Sequence, residues 1–171
     1  MKKQRLLFPL VGCLFLLSQS ISSQKFELSS SGYFQDRGVD VMAFDDIYPE
    51  GHQGGVSLIM HGNRGATNGD IRLEPTPGQW QPVPKQRERK LDNTANTITA
   101  WLSYPDTSRH MTGFNPMIYP DLVLDYVVTV KGEGNSVIVT VDLDRPIPAE
   151  LVGKVGFNLE LFPGALFGKP W

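Results

Sequence analysis

The sequence predicts an all-β protein built as an antiparallel sandwich. Residues 122–130 and 137–144 alternate between apolar and polar side chains with a period of two, which is the pattern of a strand with one buried face. Helical periodicity is almost missing from the rest of the chain after residue 24. Short apolar runs are separated there by glycine, proline and asparagine, as in a sandwich of short strands. A barrel or a jelly roll is the alternative architecture for the same pattern.

The first segment has the form of a secretory signal peptide. Three basic residues precede a short apolar run over 6–17, and small polar residues follow. We therefore predict a signal over 1–23 and a single domain over 24–171. The protein is expected to be secreted, periplasmic or at the cell surface. No transmembrane segment is expected once the signal is removed, because the apolar run is short for a bilayer.

The only cysteine, Cys13, lies inside this signal. Residues 10–13 have the form of a bacterial lipobox, but the apolar run continues beyond the cysteine, so lipidation at Cys13 is the less favoured alternative. A chain cut near Ser23 contains no cysteine and must be stabilised by its core, without disulfides. Loss of the three basic residues leaves 13 of the 16 against 18 acidic residues, a net charge of −5. This acidic balance argues against a nucleic acid partner.

The remaining elements follow in order along the chain. We expect strands at 39–44, 56–60, 70–73, 87–91, 97–103 and 157–161, a hairpin loop at 131–136 and a single helical turn within 146–151. The basic run 85–90 is interpreted as a solvated strand face. The inward-facing residues of the last strands are expected to form one core: Tyr126, Val128, Val137, Val139, Val141, Phe157 and Leu159. Trp101 is expected to be a core tryptophan of the sandwich.

Residues 61–80 are the most distinctive stretch. Glycines and asparagines crowd its first half, and both tolerate positive φ, so we expect sharp structural turns. The motifs Gly-Asp-Ile-Arg-Leu and Thr-Pro-Gly-Gln-Trp lie within it. Together with 38–42 (Gly-Val-Asp-Val-Met) and 156–160 (Gly-Phe-Asn-Leu-Glu), they resemble the N-terminal immunoglobulin-like module of family 9 glycoside hydrolases of the Bacteroidetes type.

This resemblance implies an immunoglobulin-like sandwich in a secreted enzyme that degrades β-1,4-glucans or related polysaccharides. In that family the module precedes an all-helical catalytic barrel, and no part of this chain matches the barrel. We therefore expect a non-catalytic module that braces a catalytic domain C-terminal to it. A stand-alone carbohydrate-binding module of the periplasm or cell surface is the alternative function, and a plain adhesion or scaffold domain is a third.

No catalytic residue, metal site or cofactor is predicted. A glycosidase needs two carboxyl groups on either side of the scissile bond. Asp45 and Asp46 are neighbours on an extended chain and point apart, whereas Asp142 and Asp144 share what is expected to be an outer strand face. The three histidines are scattered and lack the spacing of a zinc site.

Two groups of apolar residues are candidate binding surfaces. The aromatic residues Trp80, Tyr104, Phe114 and Tyr119 are candidates for stacking on the sugar rings of a β-glucan. Near the end of the chain, Phe162, Leu166, Phe167 and Trp171 are candidates for docking the catalytic domain. We expect this second group to be exposed in the isolated chain, because residues at a chain terminus are exposed by default; burial against the sandwich is the alternative. Soluble monomers rarely keep such patches uncovered, so a docked domain is expected to cover them.

Overall fold

The computed structural model describes residues 25–45, 54–73, 82–108 and 121–168. These residues form ten strands in two antiparallel sheets. The strands are β1 (Glu27–Leu28), β2 (Phe34–Asp36), β3 (Val39–Ala43), β4 (Val56–Met60), β5 (Asn63–Leu73), β6 (Lys85–Asp92), β7 (Thr97–Tyr104), β8 (Leu124–Glu133), β9 (Ser136–Leu143) and β10 (Val155–Leu161). A 3₁₀ turn at Ala149–Leu151 confirms the predicted helical turn, and a short helix α1 spans Pro163–Leu166.

The strand order follows the chain with a single return. The first sheet has the order β1-β2-β3-β4-β5-β10 and the second has the order β6-β7-β8-β9. Consecutive strands are neighbours within each sheet, the chain passes from the first sheet to the second between β5 and β6, and β10 returns to pair with β5. The predicted all-β sandwich is therefore confirmed, while the immunoglobulin-like subtype stays a prediction.

The hydrophobic core lies between the two sheets. Buried side chains of the first sheet include Phe34, Val41, Ala43 and Val56, and those of the second include Ile98, Leu102, Leu124, Tyr126, Val128 and Val130. Each such large side chain contributes on the order of 2 kcal/mol when it leaves water. The three inward valines of β9 pack against this cluster, as predicted, although each keeps some exposure.

Two core predictions are wrong. Phe157 and Leu159 of β10 are 41% and 43% exposed, because β10 lies at the outer edge of the six-stranded sheet. Trp101 lies on the outer face of β7, where it alternates with the buried Ala100 and Leu102. The pattern of apolar residues in β7 sets this face, since Ile98, Ala100 and Leu102 occupy its inner positions together with Tyr104.

The glycine-rich stretch forms one tight hairpin and a bulged strand where several turns were expected. His61 and Gly62 both have positive φ, of 49° and 78°, and connect the paired residues Met60 and Asn63. Two successive residues with positive φ make the turn whose twist matches that of the flanking strands. Asn68, with φ of 54°, then lies in the irregular part of β5, so the predicted strand 70–73 is the second half of a longer one.

Polar side chains tie the two sheets together at two places. Asn96, in the β6–β7 turn, accepts a bond of 2.8 Å from the Leu28 amide and donates to the carbonyls of Phe26 and Gly132, both at 2.8 Å. Arg89 of β6, in the four-stranded sheet, donates to the backbone carbonyls of Ala43 in β3 and of Gly32 before β2, which belong to the other sheet and its turns. It is 14% exposed, so the prediction that run 85–90 is a wholly solvated face is wrong at this residue.

Candidate functional site

Most of the predicted carbohydrate-binding residues lie outside the described part of the chain. These are Trp80, Phe114 and Tyr119, and the same applies to Trp171 of the docking group. Tyr104 is described at the end of β7 and is 2% exposed, with its pKa raised to about 12 by burial. The expectation of an exposed ring at Tyr104 is wrong, because its position in the strand alternation directs it into the core.

The described members of the docking group lie at the end of the chain. Phe162 is 41% exposed, Phe167 is 89% exposed and Leu166 is half-buried. They continue an apolar row on β10, whose exposed residues are Phe157, Leu159 and Leu161. We refer to Phe157, Leu159, Leu161, Phe162 and Phe167 as the C-terminal apolar strip.

Local backbone contacts fix the end of this strip. The Phe162 amide donates to the Gly65 carbonyl of β5 at 2.9 Å, which extends the pairing of the last strand. Pro163 then starts α1, where its missing N–H costs no hydrogen bond. The Phe167 amide donates to the Pro163 carbonyl at 2.7 Å and closes the helix. The Phe167 ring is therefore presented to solvent by a short, hydrogen-bonded element.

A polar cluster anchors β10 to β5 beneath the strip. Glu160 accepts a hydrogen bond of 2.9 Å from the Asn68 side chain and forms an ion pair with Arg72. These contacts lie where the register of the two strands shifts. The cluster holds the irregular segment in place and thereby fixes the orientation of the apolar row.

A buried carboxyl group lies between the two sheets. Asp70 of β5 accepts hydrogen bonds of 2.7 Å from its neighbouring Ile71 amide and from the Tyr126 hydroxyl of β8. Desolvation raises the pKa of Asp70 to about 7, although both hydrogen bonds oppose the shift. Burial and the nearby Asp70 charge raise the pKa of Tyr126 well above its usual value, so its hydroxyl stays a donor. Nothing in the sequence pattern had pointed to this pair.

The four-stranded sheet carries an open groove of about 680 Å³ on the face opposite the core. Trp101 lies in one of the two rows of outward side chains that line it, paired in register with Glu88 on one side and Val127 on the other. Asp142 follows in the same row across the sheet. The next row contains Ser103 and Asp125, and Arg87 and Asp144 complete the rim. We call this feature the outer-face groove.

Hydrogen bonds hold several groove side chains in position. Arg87 donates from Nε to the Ser103 hydroxyl at 2.9 Å. Asp144 accepts bonds of 2.9 Å and 2.7 Å from Arg145 and one of 3.1 Å from the Asp125 amide. The Arg145 hydrogen bond is the main cause of the lowered Asp144 pKa. Asp144 is therefore a charged acceptor at neutral pH, which is unsuited to general-acid catalysis.

Metal ligands do not converge within the described residues. No group of three or more histidine, cysteine or acidic side chains suited to a metal ion occurs among them. The same part of the chain contains no helix with the length and apolar character needed to cross a membrane. No protein-family model, curated protein or solved structure matches this chain.

Proposed function

We propose that this chain is a non-catalytic β-sandwich module of a secreted polysaccharide-degrading glycoside hydrolase. In this proposal the C-terminal apolar strip docks the module against a helical catalytic domain of the same protein and so braces that domain. The immunoglobulin-like type of the sandwich and its export are part of the proposal. The single observation that carries it is the exposure of the strip.

The strip is a run of large exposed apolar residues at one edge of the sandwich. Its five large side chains are 41% to 89% exposed and follow one another along β10 and the segment after it. Large apolar patches on soluble proteins mark interaction surfaces. By contrast, the β6 edge of the other sheet is dominated by charged residues, which keep a sheet edge from pairing with other chains. A covered surface is thus expected on the β10 side.

The occupant of the strip is taken from the resemblance in residues 61–80 and 156–160. In the resembling enzymes an all-helical barrel follows the sandwich, and a helix packs readily on an apolar strip beside a sheet edge. Glu160, which lies between Leu159 and Leu161 in β10, already pairs with Arg72 inside the module. The apolar side chains of the strip are therefore the groups that would contact such a domain.

The experiment replaces Leu161 and Phe167 with aspartate and measures binding of a hydrophobic dye, self-association and the melting temperature. We expect dye binding and self-association to fall at least twofold with the melting temperature within a few degrees, because exposed side chains contribute little to folding. Val123→Asp, at an apolar residue that is 69% exposed elsewhere, is the matched control and should leave dye binding unchanged. A markedly lower melting temperature with unchanged dye binding would mean that the strip belongs to this domain's own core.

A second test concerns the docked partner. The coding frame downstream of codon 171 is sequenced, and a module purified alone is mixed with the protein segment that this frame encodes. We expect helix-rich sequence and binding that Phe167→Asp weakens at least tenfold. A stop codon directly after codon 171, or binding that is indifferent to the substitution, would overturn docking in the same protein.

A further inference from the structure

The outer-face groove is distinct from the surface used in the proposed function. It lies on the four-stranded sheet, whereas the strip lies on β10 of the six-stranded sheet. Its floor is formed by the central strands β7 and β8, and every residue of β7 is paired with β8. A site on such strands is more rigid than one on loops. The groove therefore has a fixed shape before any ligand arrives.

An aromatic ring forms one side of this groove. Trp101 is half-buried, and its register partners Glu88 and Val127 flank it on both sides. The other outward residues of β7 are the small polar Thr97, Thr99 and Ser103, so the indole rises above its neighbours along the strand. A ring held in this way offers apolar area at a low entropic cost to a ligand that has one apolar face.

The polar groups around the ring are both acceptors and donors. Glu88, Asp125 and Asp142 provide carboxylate oxygens, and Arg87 provides guanidinium donors already oriented by Ser103. Acceptors and donors at the edge of an aromatic ring match a pyranose, which has an apolar C–H face and a rim of hydroxyl groups. Hydrogen bonds to charged partners are roughly twice as strong as neutral ones.

The charges of the groove restrict the ligand further. Carboxylates outnumber the basic groups, so a polymer of uronic acids would be repelled. The same excess of carboxylates suits a cationic ligand, so the choice of a neutral ligand is carried by the Trp101 ring and the oriented Arg87 donors, and a cationic probe is included in the test. We propose that the outer-face groove binds a segment of a neutral glycan, with one sugar ring stacked on Trp101. The choice of a polysaccharide as ligand rests on the proposed function.

The first experiment uses the emission of Trp101 as the reporter. In the full chain, Trp80 and Trp171 are replaced with phenylalanine, so that Trp101 is the remaining tryptophan. The protein is titrated with cellohexaose and mannohexaose as neutral glycans, and with hexagalacturonate and hexalysine as charged probes. We expect a saturable change in emission with at least one neutral glycan. Saturation with hexalysine or hexagalacturonate alone, or with none of the four, would overturn the proposal.

The second experiment measures the association constant of the responding glycan by calorimetry. Trp101→Ala should lower it at least tenfold, Trp101→Phe should lower it less, and Asp142→Asn should lower it several-fold. Ile138→Ala, an exposed apolar residue on the same strand as Asp142, should leave it within twofold. If Trp101→Ala fails to fold, the phenylalanine and asparagine variants still decide the matter, because unchanged affinity in both would overturn the site. Dye binding by the C-terminal apolar strip is measured separately, so each proposal fails on its own result.

Discussion

At the scale of single residues, Asp70 is the group whose surroundings most change its chemistry. The residue as a whole keeps some exposed surface, but its carboxyl group is enclosed and bonded to the Tyr126 hydroxyl. The enclosed carboxyl decides the pKa, which is raised to about 7. A buried carboxyl without a cation nearby costs little when protonated and much when ionised.

The stability of the protein should therefore fall as the pH rises from about 4 to about 7. In this window the folded state binds the Asp70 proton and the unfolded state, with a pKa near 3.8, has lost it. A shift of this size corresponds to at most about 4 kcal/mol. Asp70→Asn should remove this decrease, so that urea unfolding at pH 5 and pH 8 gives closer midpoints than in the wild type. A wild-type decrease that persists in Asp70→Asn would assign it to other groups.

Whether a side chain of a strand is buried or exposed follows from its place in the two-residue alternation of that strand. In β7, the apolar residues Ile98, Ala100 and Leu102 mark the inner face, and the same count places Tyr104 inside and Trp101 outside. The sequence thus contained the information for both residues, because position in the strand alternation outweighs aromatic type in setting burial. The Asp70–Tyr126 contact was not predictable in this way, because it depends on how β5 and β8 lie across the core.

At the scale of elements, β6 has a second role besides protecting an edge. Most of its charged residues are exposed, but Arg89 reaches the opposite sheet. Its guanidinium donates to the carbonyls of Ala43 at 2.8 Å and Gly32 at 2.6 Å, and it lies 3.9 Å from Asp45. Bonds from a charged donor to backbone carbonyls contribute about 1.5–3 kcal/mol each before coupling between them.

Arg89→Ala should lower the free energy of unfolding by roughly 2–4 kcal/mol, since two backbone carbonyls lose a charged donor. Arg87→Ala is the matched control on the same strand, because Arg87 is exposed and bonds only one described hydroxyl, that of Ser103. Its effect should stay within about 0.5 kcal/mol. Both are measured by chemical denaturation, and equal effects for the two variants would contradict the bridging role of Arg89.

The hairpin elements were predictable because their turn residues have local causes. The loop at 131–136 is a hairpin, as expected, with Gly134 at a φ of 58° between the paired residues Glu133 and Ser136. The bulged start of β5 was not predictable, since its small residues also suit a loop. This segment is a strand because it pairs with β4 on one side and β10 on the other, and β10 lies about ninety residues further along the chain.

At the scale of the whole molecule, period-two alternation and the absence of helical periodicity were sufficient to predict the sandwich. They were not sufficient to give the strand order, because the position of β10 beside β5 depends on contacts distant in sequence. The same limit applies to the outer-face groove, which combines residues from four strands. Its ring and its carboxylates come together only through the register of the sheet.

A prediction about activity belongs to this scale. The purified chain should release no reducing sugar from neutral β-glucans at any pH between 4 and 8, even if the outer-face groove binds them. Asp144 in the groove has a lowered pKa, so it is unsuited to donate a proton to a leaving group. The carboxyl with the raised pKa, Asp70, is enclosed between the sheets and does not reach a substrate in the groove. Steady sugar release that disappears in Asp142→Asn or Asp70→Asn would refute the non-catalytic assignment.

The Asn96 contacts also bear on the order in which the chain folds. Asn96 is 68 residues from its partner Leu28, whereas the four strands of its own sheet are consecutive in the chain, with short turns between β6 and β7 and between β8 and β9. Closing so long a loop is entropically more expensive than forming local hairpins, so the four-stranded meander can assemble before β1 joins it. On the ribosome, however, β1 is made first. The contact between β1 and Asn96 can therefore form only after the chain has been synthesised beyond residue 96, although β1 itself is made much earlier.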